Sequence, residues 1–228
     1  MRGPTRPDLA RRAFAEGLAA FALVFAGCGA IVADQVYGGE LGRVGVALAF
    51  GLVIMVMVYA TGHLSGAHIN PAVTLAFTLS RHFPVREARA YIAAQCAGAI
   101  AAALALWAIW PDQPAQLGAT LPSVGIGSAL VYEAVLSAFL MFVIMAVATD
   151  TRAVGAAAAI AIGGTIGVDA LFGGPVTGAS MNPARSLGPA LAAWEWRDFW
   201  IYVLGPIGGA AIGGLAYQLV RGKQAGPG

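Results

Sequence analysis

The sequence predicts an all-α membrane protein with six transmembrane helices and two re-entrant half-helices, arranged as an inverted repeat. Three observations carry that prediction. An eight-residue phrase occurs twice, as Ser-Gly-Ala-His-Ile-Asn-Pro-Ala at 65–72 and Thr-Gly-Ala-Ser-Met-Asn-Pro-Ala at 177–184. Hydrophobic residues make up 59% and charged residues 11% of the 228, against roughly 25% charged in a soluble domain, and the mean hydropathy is +0.76. Ten of the thirteen basic residues fall on one side of a bilayer if six apolar segments alternate across it. The net charge of +2 gives no reason to expect a nucleic-acid partner.

The elements follow in order. The opening stretch with Arg2, Arg6, Arg11 and Arg12 lacks the small-residue cleavage pattern of a signal peptide, so the first span is expected to remain in the mature chain. Apolar segments run at about 13–33, 44–61, 89–110, 128–149, 153–171 and 199–220. The two Asn-Pro-Ala phrases follow the second and the fifth. Asn offers a side-chain cap to free backbone N–H groups, and Pro at the first helical position gives up no bond, so each phrase starts a helix. The apolar runs behind them, Pro71–Leu79 and Pro183–Ala193, are too short to span a bilayer, which needs about 20 residues.

Arg2, Arg6, Arg11, Arg12, Arg81, Arg86, Arg89, Arg152, Arg221 and Lys223 share one side, while Arg43 and Arg197 lie opposite. The positive-inside rule therefore puts both termini in the cytoplasm. Glu16 of the first span aligns with Glu133 of the fourth, and Phe25 with Phe142. Three spans separate the copies, so the second half is inserted upside down and the whole chain reads as one channel domain, with repeats at about 9–110 and 128–220. Inverted repeats with broken helices recur in solute pathways.

Irregular backbone at membrane depth survives only where protein covers it or a wet cavity solvates it. The stretches Gly66-Ala67-His68 and Gly178-Ala179-Ser180 are expected to be extended and to present carbonyl acceptors to a lumen. Asn70 and Asn182 would cap their own helices and turn their NH₂ groups into that lumen. Two helix N-termini add about half a positive charge each at the same depth, which repels cations and hydronium but welcomes a neutral molecule with an acceptor oxygen. Val73 follows the first Asn-Pro-Ala and Arg185 the second; an Arg in a membrane half-helix marks a functional position. Glu16 and Glu133 read as acceptors for backbone N–H groups of the two loops, with Gln95 as a helper, rather than as proton-coupling groups. His63 and His68 lack a third ligand nearby, so no metal and no cofactor is expected. Cys28 and Cys96 lie in apolar spans and read as small hydrophobes without a disulfide. Trp194, Trp196 and Trp200 suggest an interfacial belt, and Gly205, Gly209 and Gly213 close helix approach.

The chain resembles the aquaporin (major intrinsic protein) family from end to end. The carrying residues are Ser65–Val73, Thr177–Ser186, Glu16, Glu133 and Gly205-Pro206. The resemblance implies an aquaporin-like right-handed bundle, one pore per subunit and a homotetramer in a lipid bilayer. It makes Asn70, Pro71, Ala72, Asn182, Pro183 and Ala184 the paired motif at the pore midpoint, and maps a selectivity filter onto Phe50, Ala170, Ala179 and Arg185. Water-selective members commonly carry His where this chain has Ala170, so a wider, less polar constriction is expected; Asp169 and Leu171 are the neighbours on either side. Ser186 and Ala190 look water-type. Passive conduction of water and small neutral solutes is the leading reading. A facilitator mainly for glycerol, urea, ammonia, peroxide or a neutral metalloid acid is the alternative. A coupled transporter would need acids converging on a midplane site, and an enzyme a nucleophile–base pair; neither pattern is present. Short termini suit an ungated prokaryotic channel of the cell membrane.

Overall fold

The computed structural model describes residues 7–150 and 157–222. Arg2, Arg6, Arg152, Lys223 and the start of the segment at 153–171 lie outside them. Among the described residues eight α-helices follow one another: α1 Leu9–Val36, α2 Gly42–Ser65, α3 Pro71–Leu79, α4 Val85–Ile109, α5 Ile126–Thr149, α6 Ala158–Thr177, α7 Pro183–Ala192 and α8 Ile201–Val220. Six are long and apolar enough to cross a membrane, and α3 and α7 are the short ones. The described segment of α6 runs six residues beyond the expected end at 171. Pro175 lies inside its last turn, and Ser123 donates its hydroxyl to Pro175 O at 2.8 Å and its N–H to Val176 O at 2.9 Å. The last carbonyls of a helix have no partner within it, and Ser123 meets two of these.

Small residues set the helix spacing. A Cβ on Gly51 would sit 2.7 Å from Gly163 O, and one on Gly163 would strike Met55 Cβ at 2.6 Å, so α2 and α6 cross with their backbones in contact. Gly98 meets the backbone of Gly17 between α4 and α1, as Gly209 and Gly213 meet those of Ala134 and Ala138 between α8 and α5. With lipid outside there is no hydrophobic drive between helices, and close van der Waals approach takes its place. Large apolar side chains such as Phe14, Leu52, Val131 and Ile212 point outward, as a lipid-facing wall requires. Trp194, Trp196 and Trp200 are likewise exposed.

The buried interior holds α3 and α7. Each begins with Asn in extended conformation followed by Pro: Asn70 (φ −150°, ψ 123°) accepts from Ala72 N, and Asn182 (φ −150°, ψ 109°) from Ala184 N and Arg185 N. The helices before them, α2 and α6, end on left-handed glycines, Gly66 (φ 96°) and Gly178 (φ 86°). A Gly stop and an Asn-Pro start thus bracket each three-residue crossing.

Candidate functional site

The sequence suggested extended crossings at Gly66-Ala67-His68 and Gly178-Ala179-Ser180, and the structure corrects this. Ala67 and Ile69 have φ of 48° and 58°, and Ala179 and Met181 have 43° and 53°. The cause is a carboxylate behind each loop. Glu16 accepts from Ser65 Oγ at 2.6 Å, His68 N at 2.9 Å and Ile69 N at 2.6 Å. Glu133 accepts from Thr177 Oγ1 at 2.6 Å, Ser180 N at 2.9 Å and Met181 N at 2.8 Å. An extended strand would aim consecutive N–H groups to opposite sides; turning two onto one carboxylate requires left-handed residues, a strain these bonds hold in place. Gln95 exists on one side alone: its Nε2 donates to Glu16 Oε2 at 2.8 Å and to Thr74 Oγ1 at 3.0 Å. In the other half the hydroxyls of Ser180 and Ser186 meet at 2.6 Å, and Ser186 reaches Thr120 at 2.8 Å.

The Asn side chains do more than cap. Asn70 Nδ2 donates to Met181 O at 2.7 Å, and Asn182 Nδ2 to Ile69 O at 3.0 Å. One amide proton of each Asn therefore ties the two loops together, which corrects the picture of NH₂ groups given wholly to the lumen. An amide carries two protons, so one of each pair is left over. The reciprocal bonds bring the first turns of α3 and α7 face to face, with Pro71, Ala72, Pro183 and Ala184 buried behind them.

A cavity runs past this junction. It is lined by Gly66, Ala67, His68, Ile69 and Asn70 of one loop, by Ala179, Ser180, Met181 and Asn182 of the other, and by Phe50, Ala170 and Arg185. Its volume of about 60 Å³ holds a handful of waters, at roughly 10–15 Å³ each. A second, wider cavity of about 260 Å³ includes Asp34, Arg43, Gly174 and Gly178. Phe50 and Ala170 line both, so they stand at the neck between them. Gly178 thus faces the wider cavity, and Ala179 and Ser180 the narrower. Ala170, and not Asp169 or Leu171, faces the lumen: Asp169 is wholly buried away from it, and Leu171 is half-exposed on the outer wall. His68 is packed among Phe77, Phe83 and Tyr91, with Nδ1 3.1 Å from Thr74 Oγ1, while His63 is exposed.

Arg185 is 2% exposed, with its guanidinium carbon 5.0 Å from the centre of the Phe50 ring. Its Nη1 donates to Gly118 O at 2.7 Å. This partner was missed from the sequence. It belongs to a turn in which Gln113, Ala115, Gln116, Leu117 and Gly118 all have positive φ. Only Gly118 signals such a backbone; Cys28 Sγ sits 3.8 Å from the same carbonyl. Two other buried polar features were also missed. Arg12, read as a cytoplasmic flank, is buried and pairs with Glu87 at 2.6 Å. Asp169 and Ser137 are buried with no hydrogen-bond partner among the described residues.

Comparison with known proteins agrees with this architecture. The model of the family described as major intrinsic protein matches residues 4–217. Aquaporin NIP1-4 of Oryza sativa subsp. japonica is 53% identical over 207 residues, covering 91% of this chain and 76% of that one. Nodulin-26 of Glycine max is 46% identical over 207 residues, with the same coverages of 91% and 76%. Among solved structures, the aquaglyceroporin from Plasmodium falciparum superposes with a TM-score of 0.87 over 94% of this chain and 98% of that one, at 22% identity, a likeness of fold. The chain is a multi-pass membrane protein and belongs to the major intrinsic protein family, the aquaporins.

Proposed function

We propose that this protein is a passive channel for water and small uncharged solutes that holds back protons and ions. The observation that carries the reading is the reciprocal bonding of Asn70 and Asn182, which sets two helix N-termini against one lumen that passes through a neck at Phe50 and Ala170. Two facing N-termini make the middle of the path positive. The spare amide proton of each Asn offers a donor there, so a passing oxygen is held as an acceptor. A water so oriented donates outward in both directions and cannot relay a proton through the midpoint. Carbonyls of Gly66, Ala67, His68, Gly178 and Ser180 replace lost hydration along the way. Glu16, Glu133 and Gln95 support the loops. Arg185 adds a permanent charge and fixed donors at the neck.

Phe50, Ala170, Ala179 and Arg185 form the selectivity filter in this reading. Two of the four are Ala, which leaves room on one side of the ring. That room favours a second cargo class of neutral polyols, urea or uncharged acids beside water. The subunit works within a homotetramer in the cell membrane, with both termini in the cytoplasm. The test is light-scattering of proteoliposomes in sucrose, glycerol and urea gradients: fast shrinkage in sucrose and re-swelling in glycerol or urea are expected. Flux that saturates at modest solute concentration, or that depends on an ion gradient, would point to a transporter instead.

A further inference from the structure

Gly27 lies in the middle of α1, is buried, and has an ordinary helical backbone: it is not among the residues of positive φ. Gly inside a helix costs about 0.5–1 kcal/mol relative to Ala, so its place there needs a reason. Helix packing is not the reason. The interior glycines Gly51, Gly98, Gly209 and Gly213 meet the backbone of a neighbouring helix. The three atoms nearest a Cβ on Gly27 all belong to the Phe50 ring, with Cδ1 at 2.5 Å, Cζ at 2.6 Å and Cε1 closer still. The ring is seated in the notch that the missing side chain leaves.

We infer that Gly27 is a specificity-determining position of this channel that acts by letting Phe50 stand back against α1, which sets the bore of the neck. The inference rests on reading Phe50 as part of the filter. Carbon contacts settle near 3.5–4.0 Å, so a methyl at position 27 displaces the ring by about 1 Å. Phe50 lines the lumen and carries the Arg185 guanidinium over its face. A ring pushed off α1 therefore moves toward the lumen and Arg185. The other half of the molecule has no such notch. The step that leads from Glu16 to Gly27 leads from Glu133 to Ile144, and Ile162, partner by the Gly51–Gly163 contact, stands where Phe50 does. The notch is thus a local device at the neck and not a requirement of the repeat.

The test uses the full chain in proteoliposomes, with water, urea and glycerol as probes, on Gly27→Ala, Phe50→Ala and the double variant. Gly27→Ala is expected to cut the flux of the largest solute that the wild type conducts by roughly tenfold, the scale of one methyl group in a tight pocket, and water flux by less than about twofold. In the Phe50→Ala background the same substitution is expected to leave every ratio unchanged, because the ring is gone. An equal loss for all probes, or the same loss without the ring, would overturn the inference. Phe50→Ala with wild-type solute ratios would instead sink the filter reading itself. If Gly27→Ala cannot be recovered folded, the double variant is expected to be recovered, and failure of both would overturn the notch.

Discussion

Replacing Glu16 with Gln keeps the shape of the side chain and removes one of its two acceptor oxygens. Whichever oxygen becomes the amide nitrogen, a buried backbone N–H faces it: His68 N at 2.9 Å on one side or Ile69 N at 2.6 Å on the other. A buried donor left without an acceptor costs about 1–3 kcal/mol. At roughly 2–4 °C per kcal/mol for a chain of this size, the midpoint of thermal unfolding should fall by about 2–12 °C. Glu133→Gln should cost the same, since Ser180 N and Met181 N stand in the same relation to it at 2.9 and 2.8 Å. The double variant should depart from the sum, because Ile69 and Met181, which the two carboxylates hold, are cross-bonded through Asn182 and Asn70. Glu40→Gln, at an exposed position between α1 and α2, should stay within about 0.5 kcal/mol of wild type. The assay is tryptophan fluorescence during heating in detergent, read beside water flux in vesicles. If Glu16→Gln and Glu133→Gln both unfold within about 1 °C of Glu40→Gln and conduct normally, the carboxylates do not hold the loops.

Three further outcomes are expected. Ala170→His should place an imidazole at the neck beside Phe50 and suppress glycerol or urea flux by more than tenfold while water falls less; equal suppression in the swelling assay would count against the wide filter. Arg185→Val removes the buried charge and the bond to Gly118 O, so vesicles should pass water and leak protons or sodium, as read with a pH dye. Gly178→Ala forces a side chain into φ 86° with Thr120 Cγ2 at 3.1 Å from its Cβ; a stability loss of about 1–3 kcal/mol is expected in the same melts.

Much of the site was legible because its signals are local. Asn-Pro marks a capped helix start wherever it occurs, and its repetition in an apolar chain placed α3 and α7. Ala170 followed from the resemblance to the aquaporin family, which maps its filter onto that position. The loop backbone was not legible. Ala67, Ile69, Ala179 and Met181 carry no residue-level sign of a left-handed φ; that conformation is imposed by Glu16 and Glu133, which are distant in sequence. The same holds for the turn at Gln113–Gly118, whose value lies in one carbonyl aimed at Arg185. The single use of Gln95 and the cross-bonds between loops also depend on tertiary placement. The end of α6 was likewise not legible: the helix runs past 171 to Thr177 with Pro175 inside it, and Ser123, distant in sequence, meets two of its last carbonyls.

The central claim is that two capped helix ends, tied by Asn70 and Asn182, make the membrane's middle passable to neutral hydrogen-bonding molecules and closed to protons. Water permeability and proton conductance measured together on the same proteoliposomes test it most directly. Rapid osmotic water flux with no proton leak above that of empty vesicles is the predicted result. Proton conductance that rises in step with water flux, or water flux no faster than through lipid alone, would contradict it.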